Sequence, residues 1–315
     1  MKAIVIEPNR DLVWREVEIP ALKPGEVLVK VHAAAVNRAD LMQRDGLYPP
    51  PPGCPEWPGL EISGTVADLT PEAEAEGKWK IGDKVCALLG GGGYAEYACV
   101  HSSMLMPIPE GISLTEASAL PEAFATAYLN LFIEGGAKPG MSLLMHAGAS
   151  GLASVIIPMA KAFGLRVITT VLNERVAESI KHLNADIVVD TSKESIADVL
   201  KREAEAGRPL NIAIDCLGGE KVGECFPHVA YGCRWIMIAT LAGDVSSVNM
   251  RTMYVKNIRL IGSTLRSKPQ SVKAQILASL VEEVWPKVTS GEVRPTVYKV
   301  MPITEAEAAH ALLAE

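Results

Sequence analysis

The chain has 315 residues, a length that usually holds two domains and can bury a sizeable core. A formal net charge of -7 argues against a general nucleic-acid binder. Cys54, Cys86, Cys99, Cys216, Cys225 and Cys233 form no CxxC pair and no cluster with histidine, which excludes a disulfide framework and a zinc ribbon and predicts reduced thiols in the cytoplasm. The N-terminus, MKAIVIEPNR, reads directly as a strand without an apolar signal core. The apolar run around Val155 is interrupted by His146 and Lys161, so no membrane span is expected.

Residues 1–123 read as mostly β. Short strands at 2–6, 13–17, 27–36, 64–68, 84–88 and 94–100 are separated by Gly and Pro turns, a spacing that suggests a partly closed barrel. Residues 37–44 hold one or two helical turns, and the proline-rich 48–52 must be extended. The acidic 71–77 reads as an exposed turn. The four glycines at 90–93 predict a mobile or sharply turned loop, either a plain hairpin or a ligand-facing segment.

From residue 114 the apolar period becomes helical, with Pro121 splitting 115–132 in two. Segments at 141–146, 151–163, 166–171, 174–183, 186–189, 194–206, 211–215, 220–230, 234–239 and 258–262 then alternate strand with helix. That alternation predicts an α/β, doubly wound parallel sheet. A helix at 271–285, a strand at 297–300 and a last helix at 304–313, with Thr304 as N-cap, complete the chain. Pro158 lies inside the 151–163 helix and predicts a kink.

The stretch LLMHAGASGLASVIIPMAKAFG, residues 143–164, is a buried strand, a turn without bulk and a helix. Backbone N–H groups and the helix dipole at such a junction favour a phosphate. The dinucleotide fingerprint G-x-G-x-x-G/A appears as Gly148-x-Ser150-x-x-Ala153 with an extra Gly151. Taken alone the match is degraded, and an ordinary tight turn remains open. The next strand, RVITTV, carries Thr169 and ends without the acid that would grip a ribose 2′-hydroxyl. Asn173 and Glu174 follow, then Arg175, which either meets a 2′-phosphate or is a solvated first-turn residue. Asp215-Cys216-Leu217-Gly218-Gly219 repeats the pattern of a strand end and a small-residue turn.

Several motifs agree on one family: VNRADLMQR at 36–44, YPPPPG at 48–53, GLEISG at 59–64, PIPEG at 107–111, PEA at 121–123 and HAGASG at 146–151. With them the chain resembles the zinc-free, zeta-crystallin-like quinone oxidoreductases of the medium-chain dehydrogenase/reductase superfamily. The resemblance implies a GroES-like catalytic domain from residues 1–123 and 266–315, and a Rossmann nucleotide-binding domain from 124–265. It implies a homodimer joined through the edge strands of two Rossmann sheets, NADPH as cofactor, and a small quinone or activated alkene as acceptor. An enoyl or alkenal reductase, or a nucleotide-binding protein with little turnover, are the alternatives.

Zinc-dependent relatives place Cys where this chain has Asn37, and Gly-His-Glu where it has Gly59-Leu60-Glu61; no metal is therefore expected. The resemblance implies cofactor contacts at Asn37, Tyr48, Thr126, Ser150, Gly151, Leu152, Asn173, Leu217, Leu241, Ser263 and Leu265, beside Gly148, Thr169 and Arg175. The family often has Lys where Val176 stands, and a tyrosine near Thr191. Asn37 could hold an acceptor carbonyl or nicotinamide ribose, or simply cap a turn. Asp40 is either catalytic or an orienter of that turn. Tyr48 could stack on a flat ring and present a hydroxyl, or anchor a loop. Thr126 could touch the nicotinamide amide or bond back to its own helix. Glu122 could simply cap.

Overall fold

The computed structural model describes residues 1–314. It divides into two compact units: Met1–Ala125 with Arg266–Thr289 and the stretch from Pro295 onward, and Thr126–Leu265 with Ser290–Arg294. The sequence-based boundaries lie at 123/124 and 265/266. Contacts move the first by two residues and return 290–294 to the second unit.

In the first unit, β1 (Lys2–Ile6) and β2 (Leu12–Glu16) form an antiparallel pair. β3 (Glu26–Ala34), β4 (Glu61–Leu69), β5 (Lys84–Leu88), β6 (Tyr97–His101) and β7 (Leu105–Pro107) form an antiparallel sheet of order β6-β3-β4-β5-β7. Val27 and Val29 alternate inward on β3 as a half-buried strand requires, whereas β4 is buried on both faces from Glu61 to Gly64. Ile4, Leu12, Tyr94 and Ala306 pack as a second small core. The four glycines form a packed turn. Gly92 and Gly93 donate to the carbonyls of Trp57 and Gly59 at 2.9 and 3.0 Å, and a Cβ on Gly59, at φ 111°, would lie 2.5 Å from Gly93 Cα. Only glycine allows two backbones so close.

The second unit is a six-stranded parallel sheet, here numbered β8 (Ser142–Met145), β9 (Arg166–Val171), β10 (Ile187–Asp190), β11 (Leu210–Asp215), β12 (Val229–Met237) and β13 (Arg259–Gly262). Its order, β10-β9-β8-β11-β12-β13, is that of a Rossmann fold, with the reversal between β8 and β11. Leu144, Ile168, Val189, Ala213 and Trp235 from the strands pack with Val199, Leu200 and Phe226 in one core. The helix Ala153–Ala162 runs through Pro158 as one element. Among the described residues, no helix is long and apolar enough to cross a membrane.

Several expected elements differ. Residues 297–300 form no strand: no neighbour among the described residues pairs with them, and Val297, Tyr298 and Val300 are exposed. Thr304 is not an N-cap, because it lies inside the 3-10 turn Ile303–Glu305 that precedes helix Ala306–Ala314. The acidic 71–77 is not merely a turn. Pro71–Ala75 is a short helix whose Thr70 hydroxyl accepts the Ala73 N–H. The 115–132 segment resolves into helices Leu114–Ala117 and Pro121–Tyr128, followed by a wide-turn stretch, Leu129–Glu134. A similar wide stretch, Leu280–Val284, interrupts the 271–285 helix. The expected helices at 174–183 and 220–230 shorten to Glu174–Ser179 and Lys221–Cys225, each followed by a 3-10 turn.

Candidate functional site

In the second unit, the polar groups gather where β8 and β11 end. Ala147 follows β8 with φ 54°, a left-handed value that a residue with a Cβ seldom adopts. The turn is held by β9: Ala147 N–H donates to Thr170 Oγ1 at 3.2 Å, and Gly148 N–H to the Thr170 carbonyl at 2.8 Å. A Cβ on Gly148 would meet Thr169 Oγ1 at 2.5 Å, so this position must be glycine. Gly151 is the opposite case: it is exposed, and a Cβ there meets nothing within 4 Å. Ser150 Oγ accepts the N–H of Ala153, the first residue of the ten-residue helix Ala153–Ala162, at 3.2 Å. None of these bonds consumes the N–H groups of Gly151 and half-buried Leu152.

Thr169 must be corrected. Its residue is fully buried and its hydroxyl donates to the Met145 carbonyl at 2.7 Å, so it packs beneath Gly148 and presents no surface to a cofactor. At the tip of β9, Asn173 uses its side-chain oxygen to accept the Val176 N–H at 3.1 Å. Arg175 is exposed and forms no ion pair among the described residues. Glu174 is held by Lys193 at 2.8 Å, which keeps its carboxyl below the usual range. Sequence reading does not find Lys193, because the β10 tip that carries it is 19 residues away.

After β11, Asp215 is buried and its carboxylate is fully engaged. It accepts the N–H groups of Leu217 and Gly218 at 2.7 and 3.0 Å and Trp235 Nε1–H at 2.9 Å. This fixes the Leu217 turn, which also receives the Ala242 N–H at 2.7 Å and leaves Leu241 exposed. Ser263 is buried, and its Oγ has no hydrogen-bond partner among the described residues. Leu265 is buried nearby in sequence. Thr126 is half-buried on helix Pro121–Tyr128, and its carbonyl accepts Asn130 Nδ2–H at 2.8 Å.

The first unit holds a different arrangement. Asn37 precedes helix Arg38–Arg44 and occupies its N-cap. The Asp40 carboxylate accepts the Asn37 N–H at 2.8 Å, one half of a capping box. Its other oxygen accepts the Gly59 N–H at 2.9 Å, and the Tyr94 hydroxyl donates to the carboxylate at 3.3 Å. Asp40 is wholly buried; burial raises its pKa to about 6 against those three donors. It therefore ties the Asn37 turn to the glycine turn and exposes no oxygen. Tyr94 O–H also lies 3.3 Å from His310 Nε2, and burial lowers the His310 pKa to about 4.

Asn37 spends its amide on a second buried acid: Nδ2–H donates to Glu61 Oε1 at 2.9 Å. Glu61 Oε2 accepts the Glu122 N–H at 2.8 Å, which anchors the start of helix Pro121–Tyr128. Burial, with Asp40 and Glu122 adding negative charge, pushes Glu61 up to about 8. Tyr48 is half-buried with the Arg266 guanidinium 4.8 Å above its ring. Arg266 is itself buried and donates to the carbonyls of Tyr48 (3.1 Å) and Gly90 (2.7 Å) and to Gln43 Oε1 (2.7 Å). Burial raises the Tyr48 pKa, and the nearby guanidinium partly offsets this.

Arg266, Gln43, Tyr94 and His310 carry no sequence signal of their own beyond the motifs that contain some of them. Tyr94 lies 54 residues from Asp40 and 216 from His310, and Arg266 lies 223 from Gln43. Among the described residues, no group of three or more His, Cys, Asp or Glu side chains is arranged to hold a metal. All six cysteines are free. Burial pushes Cys99 and Cys216 up to about 11 and Cys225 and Cys233 to about 12, with Cys86 raised further.

Comparison with known proteins places this geometry in context. Residues 23–110 match the family described as alcohol dehydrogenase GroES-like domain, and residues 151–282 match zinc-binding dehydrogenase. A quinone oxidoreductase-like protein 2 homolog of Nematostella vectensis is 32% identical over 76% of this chain, which spans 65% of that relative. Quinone oxidoreductase-like protein 2 of Mus musculus is 31% identical over 82% of this chain and 73% of its own. The quinone oxidoreductase from Thermus thermophilus, whose structures include a complex with NADPH, superposes with a TM-score of 0.81 at 28% identity, covering 100% of this chain and 96% of that one.

Proposed function

We propose, from the premise that the chain belongs to the medium-chain dehydrogenase/reductase superfamily, that it is an NADPH-dependent, zinc-independent quinone oxidoreductase. The observation that carries the nucleotide half of this reading is the contrast between Gly148, filled from below by Thr169, and Gly151, open above at a helix N-terminus. An open glycine beside uncommitted N–H groups suits a pyrophosphate. The orphaned Ser263 hydroxyl suits a polar ligand that completes it. The residues present therefore fit a nicotinamide dinucleotide.

When bound, that cofactor supplies a hydride; with one proton from solvent it converts a quinone to a hydroquinone. Ser150, Gly151 and Leu152 would hold the phosphates, Asn173 and Arg175 the adenosine ribose and its 2′-phosphate, and Leu217, Leu241, Ser263, Leu265 and Thr126 the nicotinamide end. Asn37 holds a carbonyl or ribose hydroxyl, Tyr48 stacks on the flat acceptor, and Asp40 positions Asn37. Zinc independence follows from the donor set: an amide at Asn37 and an aliphatic side chain at Leu60 are not tetrahedral zinc ligands. A quinone is already electrophilic and needs no Lewis acid, so EDTA should leave turnover intact.

The second unit also offers a surface for a second copy. β13 is a sheet edge, and Tyr231, Val245, Met250, Tyr254, Val255 and Leu260 are exposed apolar residues of the same unit. An unpaired edge with exposed apolar residues suits edge-to-edge homodimerisation. The free thiols fit a reducing cytoplasm. The test is a panel of quinones and alkenals with NADPH. Preferential quinone turnover supports the reading; preferential alkenal turnover, or binding without oxidation of NADPH by any acceptor, replaces it.

A further inference from the structure

Glu61 is an unusual group to find in a wholly buried place. It is 2% exposed, at the start of β4, and no cation among the described residues forms an ion pair with it. Both its oxygens accept: Oε1 takes Asn37 Nδ2–H and Oε2 takes the Glu122 N–H. A carboxylate can do this because it is acceptor-only on both oxygens. A neutral carboxyl has one hydroxyl that must donate, so it cannot satisfy both partners equally. The two arms of the site, the Asn37 turn and the start of helix Pro121–Tyr128, thus share one carboxyl group.

We infer that Glu61 is a positioning residue whose charge state sets how firmly Asn37 and the Glu122 backbone are held, so that acceptor reduction rises as Glu61 ionises. The inference rests on the proposed role of Asn37 at the acceptor. The groups facing Glu61 from the packed elements are Asp40 on helix Arg38–Arg44, Glu122 on helix Pro121–Tyr128, Cys86 on β5, and Tyr94 beyond the glycine turn. None of them is a cation. Asp40 and Glu122 carry negative charge that opposes its ionisation, as burial does, and its pKa of about 8 places the change where the enzyme can be assayed.

Glutamine is the matching probe. A carboxamide presents one acceptor and one donor, as the neutral acid does, at nearly the same volume. With saturating NADPH, kcat/KM for 9,10-phenanthrenequinone in the wild type should rise roughly tenfold across the ionisation of Glu61, the ratio for about 1.4 kcal/mol. Glu61→Gln should stay at the acid-side value at every pH, and Asn37→Ala should lose the same limb. A residue that only filled space would leave the profile where it was. A flat wild-type profile, or a limb retained in folded Glu61→Gln, overturns the inference.

A second measurement needs no turnover. In infrared titration of the cofactor-free wild type, a neutral buried carboxyl band should persist to near pH 8, and Asn37→Ala should shift its midpoint upward, since the amide donor favours the charged form. No such band, or a midpoint unmoved by Asn37→Ala, also overturns it. If no quinone is reduced at any pH, the proposed function fails, while the infrared titration still judges the Glu61–Asn37 coupling.

Discussion

The two units place their polar groups in opposite ways. At the end of β8, the turn is built from consecutive residues, its internal bonds are made to β9, and amides at Gly151 and Leu152 are left for something outside. In the first unit, Asp40, Glu61 and Arg266 are all buried, and each binds two or more partners from distant segments. One region leaves backbone donors uncommitted at its surface. The other is an interior scaffold in which charge is consumed in holding loops. Substitutions should therefore damage binding in the first case and folding in the second, with informative exceptions.

The largest effect is expected at the exception inside the Gly148–Ala153 turn. Gly148→Val drives a Cβ to 2.5 Å from Thr169 Oγ1 and should leave little folded protein, read by circular dichroism. Wild-type-like stability would remove Thr169 from beneath the turn. Next comes the acid in the scaffold. Glu61 has a folded pKa near 8, above its ordinary 4.5, so the folded state holds a proton that the unfolded chain has released. Its stabilising share is complete below pH 4.5 and is lost as pH rises toward 8, at about 1.4 kcal/mol per unit. Urea denaturation of wild type against Glu61→Gln should show the wild type losing ground steadily across that window. A pH-independent difference would mean that Glu61 does not titrate there.

Arg266→Met should cost about 3 kcal/mol in urea unfolding, because it leaves half-buried carbonyls of Gly90 and Tyr48 and the Gln43 amide without a donor. A loss below about 1 kcal/mol would show that water replaces the guanidinium. Gly151→Val tests the ligand face alone. Nothing in the protein opposes its side chain, so it should fold normally while NADPH binding weakens more than about tenfold. Normal affinity in that folded variant would remove the phosphates from this turn. The smallest effect belongs to Arg175→Ala: a severalfold rise in the NADPH KM with NADH little changed. Equal loss for both cofactors would make Arg175 a solvated helix residue, and Lys193, freed from Glu174, the next cation to test.

The same contrast explains what can be read in advance. The alternation of strand and helix and the Gly148–Ala153 turn depend on residues close in sequence, so period and motif reveal them. Asn173 capping its own helix and Asp40 reaching back to Asn37 are equally local. Arg266 bonding Gln43 across 223 residues has no local sign, nor does Tyr94 between Asp40 and His310. Thr169 escapes sequence reading for a related reason. Strand alternation tells which residues share a face, but not that a glycine turn folds over one of them. The expected strand at 297–300 does not form because β propensity needs a paired neighbour to act on.

The state of the cysteines has a consequence for the proposed reduction of quinones. Quinones are also alkylating agents, and it is the thiolate, not the thiol, that attacks them. Cys225 and Cys233, held up to about 12 by burial, and Cys99 and Cys216, at about 11, are almost entirely neutral at physiological pH. Under the proposed activity, these four sulfurs would meet the electrophile as poor nucleophiles.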